Sequence, residues 1–364
     1  MPSSVDVARL AGVSQKTVSR VFNDEPYVSA EVRRRVLDAA EQLGYRLNNA
    51  ARMLASGRTR TIGVVTLGTA LYGPASLLMG IERAARATGY ALRVVNTMEH
   101  EPEGVAGAVR SLLVQGVDGI VISEPIDEGE EPIPVDVPVL TLGAPPNLAA
   151  PRVLTVGVGA ESLARAATAH LLDLGHATVH HLAGPQRWYA ARDRLAGWRA
   201  VLRERGREAP RVLAGDWSAA SGYAAGRELA SRGDVTAVFA ANDDMAIGMV
   251  RALAEAGRRV PEDASVVGFD DIPLAAYVTP PLTTARQPFD AVALQGLELL
   301  VRAIEKPDAE PPPVVEPPVE LVVRGSTAPP QPRSRRGQVR RVASRAGGEP
   351  HAPPTSKGES ATRN

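Results

Sequence analysis

Between residues 61 and about 325, brief apolar runs alternate with amphipathic stretches of helical length, and few architectures accommodate that pattern. Runs at 62–67, 91–95, 119–122, 139–142, 178–182, 237–240 and 265–268 read as strands. Each is apolar nearly throughout, as a strand must be when helices cover both faces of its sheet. The stretches 76–88, 161–174 and 218–231 read as helices between them. Gly89, Gly116, Gly175 and Gly257 fall where helices should stop, because glycine accepts the left-handed cap conformation. Alternation of this kind predicts an α/β body of parallel, doubly wound sheets, and its length favours two lobes over one.

Ahead of this body, residues 1–47 read as three short helices. Val7, Leu10 and Ala11 share one face of the first, and Gly12 permits a sharp turn. Val13 plugs the angle between helices, and Ser14 can cap the second one. Ala8 sits where two helices cross closely, while Val18 and Val21 return the apolar face to the core. Gln15, Lys16, Thr17, Ser19 and Arg20 are left on the outer, N-terminal part of the second helix. These residue types reach base edges and phosphates in a DNA major groove. A third helix follows, with Ser29 as cap, Val32, Val36, Ala39, Ala40 and Leu43 as its buried face, and Gly44 as its stop.

Formal net charge is zero, but it is unevenly spread. Residues 1–60 carry ten Arg/Lys against six Asp/Glu, and the segment from Ser326 carries eight against two. The middle is therefore acidic by ten charges, and a basic head on an acidic body points the head at an anionic polymer. The segment 326–364 is rich in Pro, Gly, Ser and Arg and holds no leucine, which predicts disorder. There is no cysteine, so disulfides and thiolate metal sites are excluded. No apolar run approaches spanning length and the first residues lack a secretory pattern, so a cytoplasmic location without membrane contact is expected. Enzyme motifs are wanting: no phosphate-binding Lys loop, no nucleophile elbow, and His180-His181 is adjacent rather than spaced along one helix face. No metal or cofactor is expected.

The run Val-Ser-x-x-Thr-Val-Ser-Arg-Val-x-Asn from Val13 to Asn23, then Val28-Ser29 and Leu43-Gly44-Tyr45, resembles the lactose/galactose-repressor (LacI/GalR) family of transcription regulators. The likeness continues through residues 48–55, which look like that family's hinge helix. It reaches its lactose-type blocks at Ala183-Gly184-Pro185, 192–198, 215–218, 241–246, 265–271 and 281–287. The resemblance implies a helix-turn-helix domain over 1–47, a hinge helix and linker over 48–60, and a periplasmic-binding-protein-like, two-lobed ligand-binding and dimerisation domain over 61–325. Double-stranded operator DNA, a homodimer partner and a small effector, a sugar, are the implied partners. Ser14, Gln15, Lys16, Thr17, Ser19, Arg20 and Asn23 would meet the DNA, joined by Asn48, Ala51 and Leu54 of the hinge. The leucine would act as an apolar wedge in the minor groove.

For the effector the resemblance implies a cleft holding Asp127, Arg194, Trp217, Asn242 and Asp270, with Leu71 and Leu77 on the opposite lobe and Gln287 and Phe289 near the crossovers. Those residue types suit a polyol: carboxylate and amide bond adjacent hydroxyls, Arg offers fixed donors, and indole offers a flat apolar face. Three departures stand out. Thr141 occupies a place the lactose-sensing members give to an aromatic. Gln15-Lys16 opens the second helix instead of Tyr-Gln, which predicts a different operator. Val339 and Val342 are the only large aliphatics of the tail, so a tetramerising coiled coil is not expected. A purine-type corepressor in place of an inducing sugar is the alternative the sequence leaves open.

Overall fold

The computed structural model describes residues 2–22, 25–45, 58–67, 70–97, 103–123, 126–127, 129, 131–157, 159–316 and 318–331. Asn23, Asn48, Ala51, Leu54, the hinge helix and nearly all of the tail lie outside the described residues.

The head is three helices, α1 (Ser4–Ala11), α2 (Gln15–Phe22) and α3 (Ala30–Gln42). Ser3 and Asp6 form a reciprocal capping box on α1, and Gly12 ends it at φ +66°, where a side chain would be strained. Ser14 accepts from the Thr17 N–H at 3.1 Å and Ser29 from that of Val32 at 3.3 Å, so both predicted caps form. Val7, Ala8, Ala11, Val18, Val21, Val36, Ala39 and Ala40 make one small core. Leu10 does not join it: half of that residue is exposed, because Val7 and Ala11 already fill the narrow inner stripe of an eight-residue helix.

The first lobe is a parallel sheet in the order β2-β1-β3-β5-β7. Its strands are β1 (Thr61–Leu67), β2 (Ala91–Thr97), β3 (Gly119–Ile122), β5 (Val139–Leu142) and β7 (Val153–Val156). A two-residue pair, β4 (Ile133–Pro134) and β6 (Leu148–Ala149), lies beside it. The second lobe runs β13-β12-β11-β10-β8-β9, built from β8 (His180–Ala183), β9 (Leu213–Ala214), β10 (Ala237–Ala240), β11 (Ser265–Asp270), β12 (Thr283–Arg286) and β13 (Glu320–Val322). Only β13 runs antiparallel.

Helices α4 (Tyr72–Ala87) and α5 (Gly104–Val114) cover the first sheet, and α6 (Ala160–Asp173), α7 (Tyr189–Glu204), α8 (Ala219–Ala230) and α9 (Asp243–Glu255) the second. The chain crosses between lobes after β7, after β12 and before β13, since α10 (Phe289–Glu305) returns to pack on α4, β5 and β7. All four predicted stop glycines have φ between +70° and +99°. His181 is core: its ring stacks between Trp198 and Phe239, its Nδ1 meets the Phe239 carbonyl at 2.9 Å, and burial pushes its pKa down to about 4. Among the described residues no helix is long and apolar enough to cross a membrane.

Candidate functional site

In each sheet the strand order reverses once, between β1 and β3 and between β8 and β10. Crevices open at the carboxyl ends of strands at such reversals, and ligands settle there in open α/β sheets. Here the two crevices face each other. Ile126, beyond β3, forms a backbone bridge with Trp188, beyond β8. The Asp127 N–H donates to the Arg187 carbonyl at 2.8 Å, and Arg192 donates to the Asp127 carboxylate at 2.7 Å. On the other side, Tyr72 and Ser76 beyond β1 share a recess of about 830 Å³ with Asp270, Gln287 and Phe289.

The wall on the second lobe centres on Arg194, from the buried face of α7. Its guanidinium lies 3.9 Å from the centre of the Phe269 ring and 5.2 Å from that of Trp217. It donates to the Ala241 carbonyl and stands 3.6 Å from the Asp270 carboxylate. Both members of this ion pair are over nine-tenths buried. Gln287 donates to the same carboxylate at 2.6 Å. Burial pushes the Asp270 carboxyl up to about 6, against the opposing pull of Arg194 and Gln287.

Trp217 lies on Gly184 so closely that a Cβ there would fall 2.3 Å from the indole, and its ring meets Trp188 edge-on at 5.9 Å. Its carbonyl accepts from the Asn242 amide at 2.9 Å, and that amide's oxygen caps α9 through the Met245 N–H at 3.0 Å. Asn242 therefore fixes Trp217 and the helix start together. Asp243 beside it is fully buried and accepts from the Ile272 N–H at 2.9 Å and the Thr284 hydroxyl at 2.6 Å. Those bonds anchor the chain just after Asp270, and burial together with the Asp270 charge raises the Asp243 carboxyl well above its ordinary range. Of the four described non-glycine residues with left-handed φ, three are Trp217, Asp270 and Asp271. Backbone strain of this kind collects where side chains must be aimed at a ligand.

Thus Arg194, Trp217, Asn242, Asp270 and Gln287 are brought together, and Phe289 joins from the crossover, edge-on to Tyr72 at 5.9 Å. Leu71 is half-buried at the start of α4, and Leu77 is fully buried in the core with Ile62 and Val64, where it seats that helix. Asp127 is engaged by Arg192, whose hydrogen bond holds its carboxyl below the usual range, so it ties the lobes together at the cleft mouth. Thr141 spends its hydroxyl internally, 3.1 Å from the Gly143 carbonyl and from Thr155. Sequence reasoning missed Trp188 and Arg192 as partners across the cleft; the signal available was their place in the block that carries Arg194.

Asp270 also predicts a pH effect. A carboxyl raised on folding stabilises the fold fully below its unfolded pKa of about 3.9, and that contribution fades as pH rises through about 6. Asp270→Asn should therefore flatten the melting temperature against pH between about 4 and 6 relative to the parent chain. Identical profiles from calorimetry would show that Asp270 does not titrate there.

In the head, Gln15, Lys16, Ser19 and Arg20 are exposed along α2, and Thr17 is half-buried with its hydroxyl 2.9 Å from that of Ser14. Gln15 donates to Ser4 at 2.9 Å, and Arg20 stands 3.4 Å from Glu25. Arg33 donates to the carbonyls of Val21 and Glu25, which fixes α3 against the end of α2. The outcome is a polar, basic helix presented by a small rigid scaffold, the form that enters a major groove.

Residues 5–48 match the family described as bacterial regulatory proteins, lacI family, and residues 168–327 match a periplasmic binding protein-like domain. The chain is 36% identical over 302 residues to the lactose operon repressor of Escherichia coli (strain K12), covering 82% of this chain and 83% of that one. Among solved structures, the lac repressor dimer bound to operator and the anti-inducer ONPF superposes with a TM-score of 0.73 at 33% identity, covering 90% of this chain and 99% of the other. The transcriptional regulator CelR in complex with cellobiose gives 0.65 at 33% identity, over 90% and 100%.

Proposed function

The chain belongs to the lacI family of bacterial regulatory proteins and is a DNA-binding transcriptional repressor, and from that premise we propose that it works in the cytoplasm as a homodimer released from its operator by a small sugar held between the two lobes. The observation that carries this reading is the cleft itself, where a buried Arg194–Asp270 pair, Gln287 and the Trp217 indole converge. A carboxylate and a guanidinium in mutual contact present both acceptors and donors to adjacent hydroxyls, and the indole covers the C–H face of a ring. Asp127, Asn242, Leu71, Leu77 and Phe289 complete or support that site. The relatives whose structures are solved with an effector-type ligand, ONPF and cellobiose, agree with this chemistry.

On the DNA side, Ser14, Gln15, Lys16, Thr17, Ser19, Arg20 and Asn23 read the operator, and a hinge through Asn48, Ala51 and Leu54 enters the minor groove. Sugar in the cleft changes the angle of the first lobe and separates the paired hinges. Coupling is reciprocal, so operator DNA weakens sugar affinity by the same factor. A second copy would cover apolar side chains left exposed on the body, among them Met79 on α4, Val94 on the edge strand β2, and Leu274 and Tyr277 after β11.

The test is fluorescence anisotropy of the protein on DNA from upstream of its own gene, at fixed salt, with a panel of sugars added. Release by one sugar supports the reading; tighter binding with a purine would replace it with the corepressor alternative. In the same assay Lys16→Ala and Arg20→Ala should weaken binding about tenfold or more each. Each residue occurs twice in a dimer, so each lost phosphate contact should lower the log–log salt slope by nearly two. An unchanged slope with unchanged affinity would remove both residues from the interface.

A further inference from the structure

The functional reading leaves two buried hydroxyls unexplained. Thr66, at the end of β1, and Ser123, directly after β3, are both fully buried, and neither Oγ has a hydrogen-bond partner among the described residues. An unpaired buried hydroxyl costs free energy that folding alone does not recover. The two are neighbours. Strands β1 and β3 pair in parallel with Val65 opposite Ile122, and the Ser123 N–H extends that ladder to the Val65 carbonyl at 3.0 Å, which sets Thr66 beside Ser123. Side chains alternate along a strand, so Thr66 continues the face of Ile62 and Val64, and Ser123 that of Val121. All three apolar residues belong to the cluster under α4. Both hydroxyls thus stand at the carboxyl end of the two strands between which the order reverses, at the crevice that faces Arg194 and Asp270.

Two unpaired donors wait on the opposite lobe, the Trp217 Nε1–H and the Arg194 Nε–H, both buried. Charge is balanced there. The non-histidine ionisable side chains that are buried among the described residues are Arg194, Asp243 and Asp270; Arg194 faces Asp270, and Asp243 is bonded to Ile272 and Thr284. Arg192 at the mouth is taken up by Asp127 and the Gln186 carbonyl. A phosphate or carboxylate brought in beside Asp270 would find no uncommitted cation, and an uncompensated buried anion is strongly disfavoured.

Resting on the proposal that the effector is a sugar, we propose that Thr66 and Ser123 are the first lobe's contacts to it, and that the cleft selects an uncharged, unphosphorylated polyol. The hydroxyl pair accepts from and donates to sugar hydroxyls, while Trp217 and Arg194 donate from across the cleft. Water or ligand satisfies the four atoms in turn, and a neutral polyol satisfies them without adding charge.

The experiment is calorimetric titration of the full-length protein with neutral mono- and disaccharides, cellobiose and lactose among them, with glucose 6-phosphate and galactose 6-phosphate, and with hypoxanthine. The best neutral sugar is then titrated into Thr66→Val, Ser123→Ala and the hydroxyl-keeping Thr66→Ser and Ser123→Thr. Removing each hydroxyl should weaken binding about tenfold while leaving the ligand-free melting temperature unchanged or higher, because an orphaned polar group has been deleted. The hydroxyl-keeping variants should bind within a few-fold of the parent chain, and they carry the test if Thr66→Val fails to fold. A merely structural role would lower stability and spare affinity. A neutral sugar that binds all four variants equally overturns this inference and leaves the sugar reading intact. Preference for a phosphorylated sugar overturns the charge argument alone, and hypoxanthine binding without any response to a neutral sugar, or no response to any neutral sugar, overturns both.

Discussion

Arg194→Ala should give a repressor that holds its operator as tightly as the parent chain and no longer lets go. Arg194 touches nothing in the head, and its partners are Ala241, Asp270 and the rings of Phe269 and Trp217. Removing it deletes a charge-assisted donor fork and the cation lying against both rings, contacts worth about 3 kcal/mol together, or about a hundredfold in affinity. Asp270 need not stay ionised without its partner, since its carboxyl already sits at about 6 and can take up a proton. The fold should therefore survive, with Gln287 still bonded to that side chain. Arg194→Lys sharpens the point, because it keeps the charge and loses the planar fork; it too should respond poorly to sugar. The check is anisotropy on operator DNA while the effector sugar is titrated. Release of the Arg194→Ala complex at the parent chain's sugar concentration would remove Arg194 from the site.

Much of this was legible in the sequence, and what was not has definite causes. Strands β1, β3, β5, β10 and β11 announce themselves because both faces are buried and apolar. Strand β12 does not, since Thr283 and Thr284 are buried but polar. Their groups are satisfied by Ser326, Thr327 and Asp243, residues more than 40 positions away in the sequence. Strand β7 alternates exposed and buried residues at the edge of its sheet, and β13 is a three-residue return from another lobe. The cleft shows the same division. Arg194, Trp217, Asn242 and Asp270 stood out through the blocks they occupy. The orphaned hydroxyls of Thr66 and Ser123 carry no local mark, because being buried without a partner is a property of the packed chain. Asp127 was legible as a cleft residue, whereas its engagement by Arg192 depends on how the lobes meet.

Gly248→Ala should be among the most destabilising single-methyl changes in the body, lowering the melting temperature by about 10 °C. Helices α8 and α9 cross with their backbones in contact. A Cβ at Gly248 would fall 1.9 Å from the Ala219 carbonyl oxygen and 2.8 Å from the Tyr223 nitrogen. The reverse contact is as tight, with a Cβ at Gly222 lying 2.0 Å from the Met245 carbonyl oxygen. No side-chain rotation relieves such a contact, so the helices must move apart. Overpacking of this kind costs about 3 kcal/mol or more, against a gain of roughly 1 kcal/mol from alanine's better helix propensity. At about 2–4 °C per kcal/mol for a domain of this size, the net loss falls near the figure above when the helices yield only partly. The displacement has a functional reach, because α9 begins at the Asn242 cap and α8 follows directly on Trp217 and Ser218. Separation strains the 2.9 Å bond from Asn242 to the Trp217 carbonyl, so weaker sugar binding should accompany the lower melting temperature. Gly233→Ala is the control, since nothing lies within 4 Å of a Cβ there, and its melting temperature should stay within about 2 °C of the parent chain. Equal melting temperatures for the two alanine variants in scanning calorimetry would mean that the crossing can open without cost, and that the sugar wall does not depend on it.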